Sequence, residues 1–468
     1  MKRITRRTFV KAGSLAAGAA VTLSPCSRVL GANDDVRVGV VGLRSQGRYH
    51  VKLLRELQGV RVVALCDADR DVLAREVKGF QGSSEKVDAY TDVRRLLEDK
   101  NVDAITTATP DHWHALVTIW ACQAGKDVYV EKPLCHNLWE GRKMVEAARK
   151  YKRMVQFGNQ SHGQKTGKMR LEMGKLGRIL VVYASLNRMR SSIGRVAGPQ
   201  PVPKSVDYDL WTGPAPLGPL RRRRLHYDWH WVWPTGTGEI GNNGIYPLDA
   251  CRLALGQNVL PRRVMSLGGR FLFDDDGRTP NTQIALFQYD PGPMILFELR
   301  NLPSEKGPKT VGSRMKCRHG ESRLPSPTGR SGKTGGFPLH KGHLFNFISA
   351  VRSREVGDLR ADVLEGHLST ALVHMANISY RLGTPHSPRE AREAMENRGT
   401  EAAEALGRFQ EHLAANGVDF SKTKLLVGPW LEMDSDREQF VGGSEIAARA
   451  NRLLRRPYRK PFVVPEKV

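Results

Sequence analysis

The stretch DVRVGVVGLRSQGRYHVKLL, Asp35 to Leu54, decides the fold. An apolar, β-branched run reaches Gly42, passes through a glycine-containing turn and enters a segment of helical character. The alternation continues. VRVVALCDAD, VDAITTATP, KDVYVEKP and RMVQFGNQ are apolar runs separated by amphipathic segments such as Ala115–Ala124 and Leu138–Tyr151. Strands alternating with helices predict an α/β chain with a doubly wound parallel Rossmann sheet. Such sheets bind ligands beyond the carboxyl ends of their strands. Chemistry is therefore expected at Gly42, Asp67, Thr109, Glu131 and Gly158.

The first turn reads GLRSQG, with Gly42 and Gly47 at the outer positions of the dinucleotide fingerprint and Arg44 in place of its middle glycine. The middle position lets backbone approach a pyrophosphate; an arginine there can instead turn outward and clasp phosphate oxygens. Asp67, twenty residues beyond Gly47, stands where a carboxylate accepts ribose hydroxyls and repels a 2′-phosphate, which favours NAD over NADP. The competing reading of Asp67 is a helix cap before ADRDVL. Cofactor contacts are expected from Gly42, Leu43, Arg44, Gln46 and Gly47, from Asp67, from Thr109, Pro110 and His114, and from Glu131, Lys132 and Gln160. DHWH puts His112 and His114 at the start of a helix, with Asp111 as its N-cap. Two such histidines make a metal site only where further ligands converge, and none is expected here. His114 reads equally as cofactor-adjacent or structural.

At 468 residues and 40% hydrophobic content, the chain is long enough for two cores plus extensions. Its formal charge is +25; residues 1–32 hold six basic residues and no acid, so +19 lies beyond them. That balance favours acidic partners such as anionic polysaccharide. The basic residues are dispersed apart from Arg221–Arg224 and the tail after Arg449, and no nucleic-acid motif accompanies them, so specific nucleic-acid binding is not expected. Arg221–Arg224 reads as a solvated loop. The six cysteines have neither metal spacing nor a paired framework and read as buried thiols.

TRRTFVKAG, Thr5 to Gly13, carries the adjacent arginines Arg6 and Arg7, followed by an uncharged run from Ala12 to Leu23 and the small-residue stretch VLGA at Val29–Ala32. This is the layout of a twin-arginine export signal, and it predicts a periplasmic protein. The run is too short and too rich in Gly and Ala for a span of roughly 20 residues, and no other segment is apolar for long enough, so no transmembrane segment is expected.

TATPDHWH, AGKDVYVEKP, QFGNQ, DLWTGPAP, WHWVW and GTGEIGNNGIYPLD, followed by HLFNFISAVRSR and EGHLSTALVHMANISYRLG, together resemble the Gfo/Idh/MocA oxidoreductase family over most of residues 36–384. The resemblance implies a second α+β domain with a large, mostly antiparallel sheet that pairs subunits, and an active site between the domains. The expected division is a signal at 1–32, an NAD-binding Rossmann domain at 33–157, a substrate and oligomerisation domain at 158–385 and a helical polar extension at 386–468. Within the second, residues 307–336, basic and rich in Gly, Ser and Pro, read as a disordered loop. The extension should hold helices at Pro388–Ala415 and Ser444–Arg455.

By the same resemblance, Lys132 of EKP touches the reacting hydroxyl beside the nicotinamide, where its ammonium is disfavoured and it can relay a proton. Pro133 would fix the strand exit that aims it. Many relatives carry an Asp and, four residues on, a His as general base; the matching positions here are Asn242 and Tyr246. A Lys132 near Tyr246 would stabilise a phenolate and revive the relay; the opposing reading is an altered or retired site. YDWHWVW, Tyr227–Trp233, supplies aromatic faces for sugar rings, with Asp228 and His230 for hydroxyls, against a core role for the tryptophans. GGRFLFDDDGRTPNTQ, Gly268–Gln283, would complete the pocket. The sequence therefore predicts an NAD-dependent oxidoreductase of CH–OH groups on a sugar, sugar derivative or polyol, including anionic ones. Export implies a tightly bound cofactor regenerated in place. The alternatives are a redox-neutral glycosidase or epimerase of the family and a catalytically silent carbohydrate-binding protein.

Overall fold

The computed structural model describes residues 35–162, 176–304, 309–324, 333–334, 337–443 and 445–468. The export stretch with Cys26 and residues 307–308, 325–332 and 335–336 of the basic segment lie outside the described residues. Met1–Asp35 and Val36–Val468 are separate units, and the second contains both large sheets.

Six parallel strands, β1 (Val36–Val41), β2 (Val60–Cys66), β3 (Asp88–Tyr90), β4 (Ala104–Thr107), β5 (Asp127–Glu131) and β6 (Val155–Gly158), pair in the order β3-β2-β1-β4-β5-β6. Between them run α1 (Ser45–Arg55), α2 (Arg70–Lys78), α3 (Val93–Glu98), α4 (Asp111–Gln123) and α5 (Leu138–Lys150). This is the doubly wound fold the apolar runs predict. Its strand order reverses between β1 and β4, where the carboxyl ends leave a crevice.

The second half holds β7 (Ile179–Arg188), α6 (Tyr208–Thr212), α7 (Ile245–Leu255), β8 (Arg263–Gly269), β9 (Thr282–Gln288), β10 (Met294–Arg300), β11 (Lys309–Cys317) and β12 (Gly320–Arg323). α8 (Leu339–Ser353), α9 (Val363–Arg381), β13 (Thr384–His386), α10 (Pro388–Glu396), α11 (Thr400–Ala415), β14 (Leu425–Val427), β15 (Leu431–Asp434), β16 (Gln439–Val441) and α12 (Glu445–Leu453) follow. The strands form a ten-stranded sheet, β12-β11-β7-β10-β9-β8-β14-β13, with β15 joining β8 to β16. Among the described residues of this sheet, only β7 and β10 pair in parallel.

Period-two alternation gives this sheet two apolar faces. Val182, Ala184, Phe287 and Phe297 pack with Leu248 and Cys251 of α7 and Leu372 and Met375 of α9. Val181, Met265, Leu286 and Leu296 face the other way, onto Ala391 and Met395 of α10 and Leu406, Phe409 and Leu413 of α11. The polar tail thus covers a sheet face with its own apolar stripe.

Three expectations are corrected. The segment read as a disordered loop contains β11, antiparallel to β7, and β12. Ser313, Met315 and Cys317 point inward while Arg314 and Lys316 point out, and the outward cations had hidden the alternation. The tail helix expected over Pro388–Ala415 is two helices, broken at Gly399, whose φ of +107° is open to glycine. The contiguous division at residue 157 is crossed once. α8 returns to the first sheet, where Leu344, Phe347 and Ile348 pack with Val36, Val38 and Val40.

Candidate functional site

The glycine turn is built for close approach. Gly42 has φ +80°, and a Cβ there would meet Ala108 and Thr109 backbone at 2.9 Å. A Cβ at Gly47 would stand 1.7 Å from the Gly42 carbonyl oxygen. Neither position accepts a side chain without moving backbone, so α1 starts directly under the crevice with its free N–H groups aimed there. Arg44, where the middle glycine is missing, is exposed at the N-cap of α1 and makes no capping bond.

Asp67 closes the same crevice at the end of β2. Its Oδ2 accepts from Leu43 N at 2.8 Å and its Oδ1 from Asp69 N at 2.9 Å. Burial raises its pKa, and these two backbone donors oppose that shift. The cap of α2 is Asp69, which accepts from Asp71 N, so Asp67 is not the cap. The crevice is a cleft of about 330 Å3. Gly42, Leu43, Arg44, Gln46, Asp67, Thr109, Pro110, His114, Glu131 and Lys132 all line it, with His230, Asn242 and Tyr246. Of the expected contacts, Gly47 and Gln160 do not. Gly47 packs beneath Gly42, and Gln160 Nε2 donates to Glu131 Oε1 at 3.2 Å and Tyr129 Oη at 3.0 Å.

β5 delivers Glu131 and Lys132. Glu131 Oε1 also takes Gln46 Nε2 at 2.9 Å and His50 Nε2 at 3.0 Å. Burial opposes its charge, but the His50 bond and nearby cations outweigh burial and draw its pKa down to about 2. Lys132 Nζ donates to the Asn242 carbonyl at 2.7 Å and to Asn242 Oδ1 at 3.2 Å, and lies 5.7 Å from the centre of the Tyr246 ring. Burial lowers the Lys132 pKa, against Glu131, Asp111 and Glu239. The Lys132–Pro133 peptide is cis. His114 spans Pro133 O at 2.7 Å and Thr109 O at 2.9 Å, tying the exit of β5 to the end of β4.

Burial and Glu131 push the Tyr246 hydroxyl upward, so the phenolate expectation is not met: Tyr246 is a neutral phenol. His230 is stacked on Trp229 with centroids 3.6 Å apart, and its Nδ1 meets Tyr227 O at 2.6 Å. Burial takes its pKa down to about 3, so the ring is neutral and Nε2 keeps its lone pair.

Further expectations give way to tertiary contacts. α4 is capped by Pro110, and Asp111 lies in its first turn, accepting from Thr237 Oγ1 at 2.7 Å. His112 and His114 diverge; His112 faces Trp211 O and Thr235 O. Asp228 is spent on Arg224, accepting from its backbone N at 3.1 Å and Nε at 3.0 Å. Arg222 is buried over the Trp211 ring, so Arg221–Arg224 is not wholly solvated. Trp229 lines the cleft, whereas Trp231 is buried away from it beneath Arg190. The Gly268–Gln283 loop does not line the cleft; Asp275 and Asp276 hold Ile193 N and Val196 N instead.

Sequence reasoning missed a strap. Residues 204–231 run beside the cleft from the end of β2 to α4, supplying Trp211, His226 and Tyr227 to its lining. Arg70 N donates to Ser205 O and Asp207 N to Ala68 O, both at 2.9 Å, and His226 Nε2 meets Asp69 Oδ2 at 2.8 Å. Trp113 Nε1 holds the carbonyls of Leu210 and Trp211. The C-terminal tail ties it down, with Arg459 on Asp209 and Phe462 packed edge-on to Trp113. DLWTGPAP and most of YDWHWVW fall in this stretch; they signalled contact residues, not its path.

Residues 36–159 match the oxidoreductase family model with an NAD-binding Rossmann fold, and residues 191–406 match that family's C-terminal alpha/beta domain. The chain belongs to the Gfo/Idh/MocA family. The glycine cradle and the pinned Asp67 fit NAD, the cofactor of this family's Rossmann domain. Glycosyl hydrolase family 109 protein 2 from Shewanella sp. (strain ANA-3) is 31% identical over 172 residues, 32% of this chain and 38% of that protein. An inositol 2-dehydrogenase/D-chiro-inositol 3-dehydrogenase from Lacticaseibacillus casei is 31% identical over 155 residues, 32% of this chain and 44% of that protein. The similarity thus spans less than half the length of these curated relatives. The crystal structure of myo-inositol dehydrogenase from Lactobacillus casei, in complex with NAD(H) and myo-inositol, shares the fold at a TM-score of 0.54 and 19% identity, over 74% of this chain and 94% of that one.

Proposed function

We propose that the protein is an NAD-dependent oxidoreductase acting on a carbinol of a sugar, sugar derivative or polyol. The observation that carries this reading is the convergence of Lys132, Tyr246 and His230 on the cleft whose other end is the glycine cradle. Bound NAD would supply the hydride acceptor. The chain must then remove the carbinol proton. Lys132, its ammonium disfavoured by burial, is the acceptor we assign, and Asn242 holds it in place. The neutral Tyr246 hydroxyl donates a hydrogen bond to the substrate oxygen, and His230 Nε2 accepts one from a neighbouring hydroxyl. Asn242 and Tyr246 stand where relatives carry Asp and His, so the proton leaves through Lys132 rather than through a base at 246.

The strap supports a cofactor that stays bound through turnover, and a resident cofactor must be reoxidised in place. A redox-neutral reaction, such as transient oxidation followed by elimination or epimerisation and return of the hydride, meets that need; the glycosyl hydrolase name of one relative favours it as the second reading. From the arginine pair at Arg6 and Arg7 we also propose export by the twin-arginine route, which carries folded, cofactor-loaded protein. Arg6→Lys with Arg7→Lys should leave precursor in the cytoplasm; normal processing would remove that proposal.

The test is the dinucleotide content of the purified protein, read by absorbance and mass after denaturation, then the absorbance of reduced nicotinamide as sugars, polyols and uronates are added. NAD that is retained and reduced supports the enzyme. Protein that binds glycans without dinucleotide would make it a silent carbohydrate-binding protein.

A further inference from the structure

Glu239 is fully buried and has no part in the chemistry assigned above. Arg190 forks onto it, with Nη2 at 2.8 Å from Oε1 and Nε at 3.0 Å from Oε2. Asn243 Nδ2 donates to Oε1 at 2.6 Å and Asn242 Nδ2 to Oε2 at 3.2 Å. A carboxylate only accepts, so the nitrogen end of the Asn242 amide must face Glu239 and its oxygen end must face away. Lys132 Nζ lies on that side, donating to Asn242 Oδ1 as well as to the Asn242 carbonyl. Asn242 lies in the π turn Ile240–Gly244, and its carbonyl accepts from Lys132.

We propose that Glu239 is a positioning residue for the reaction, fixing the Asn242 amide so that its oxygen holds the Lys132 nitrogen in the cleft. The arrangement places a carboxylate one hydrogen bond away from the lysine instead of against it. Direct contact would hold Lys132 as ammonium; an amide between them orients the nitrogen while leaving burial free to disfavour its charge. The inference rests on the assignment of Lys132 to the reaction, and its test needs no turnover.

Competitive acylation of the full-length protein with acetic anhydride across pH, read on the Lys132 peptide by mass spectrometry, gives the titration midpoint of Lys132 directly. Asn242→Asp should raise the midpoint by about one pH unit or more, as an adjacent opposite charge does. Glu239→Gln should lower it in the wild-type background and lower it less in Asn242→Leu, where only the direct attraction of the Glu239 charge remains. A Glu239→Gln shift of the same size in both backgrounds would overturn the proposal in favour of charge acting through space alone. Asn242→Leu leaves the Glu239–Arg190–Asn243 cluster intact, so it remains informative should Glu239→Gln fail to fold. An unchanged Lys132 midpoint in Asn242→Leu would equally overturn the proposal. Shifts as expected in a protein that turns over no sugar would sink the functional reading, leaving the hold of Glu239 and Asn242 on Lys132 with no reaction to serve.

Discussion

Lys132 Nζ stands 5.7 Å from the centre of the Tyr246 ring and donates to Asn242, not to the Tyr246 hydroxyl. The contact is therefore the Lys132 nitrogen over the aromatic face, which survives removal of the hydroxyl. The pair can be dissected: Tyr246→Phe keeps the ring and loses only the phenol, while Lys132→Met loses the proton acceptor.

Asp67→Asn keeps one side-chain oxygen, for one of the two N–H groups of Leu43 and Asp69, turns an amide donor on the other and discards the charge. NAD affinity should fall about tenfold, the scale of one charged hydrogen bond, and the preference for NAD over NADP should shrink. Titration of cofactor-stripped protein with both dinucleotides measures this. Unchanged discrimination would reduce Asp67 to a support for the turn.

The Glu131 carboxyl titrates at about 2 in the fold against an ordinary 4.5. A depressed carboxylate stabilises the protein fully above its unfolded pKa, and that stability is lost as the pH falls through the folded value. Between pH 6 and pH 3, wild type should lose more unfolding free energy than Glu131→Gln, which has no such carboxylate to protonate. Urea unfolding at the two pH values gives the comparison; equal losses would mean that the contacts of Glu131 with Gln46, His50 and Gln160 do not hold its charge.

Arg459 reaches Asp209 of the strap through two bonds of 2.6 Å, but the Asp209 side chain is more than half exposed. Arg459→Ala should therefore cost under about 1 kcal/mol and speed cofactor release a few-fold. Phe462, buried against Trp113, is worth about 3–5 kcal/mol on truncation to Ala and should lower the melting temperature as well. Dilution kinetics of bound NAD separate the two. A release rate indifferent to Arg459 would detach the tail from cofactor retention.

The first sheet was legible because β1, β2, β4 and β5 are runs buried on both faces, with chemistry-bearing residues at their ends: Gly42, Asp67, Thr109 and Glu131–Lys132. β11 was not, because Arg314 and Lys316 set the composition while its inward residues Ser313, Met315 and Cys317 are only weakly apolar. The strap was invisible for a different reason. Its bonds to Ala68, Asp69 and Trp113 are made largely by backbone groups far apart in the chain, and backbone carries no sequence signal. Asp228, read for sugar hydroxyls, and Asp111, read as a helix cap, failed for another reason: the side chains of Arg224 and Thr237 claim them.

The most direct test of the account is single-turnover reduction of protein-bound NAD by a sugar or polyol substrate in wild type, Lys132→Met and Tyr246→Phe. Lys132→Met should slow hydride transfer by roughly 10² or more with NAD still bound, the scale of general acid–base catalysis. Tyr246→Phe should slow it by a similar factor, and the double variant should be little worse than either, because residues acting as a unit on one carbinol oxygen are not additive. Wild-type rates in Lys132→Met, with cofactor and substrate bound, would contradict the assignment of the reacting carbinol to this end of the cleft.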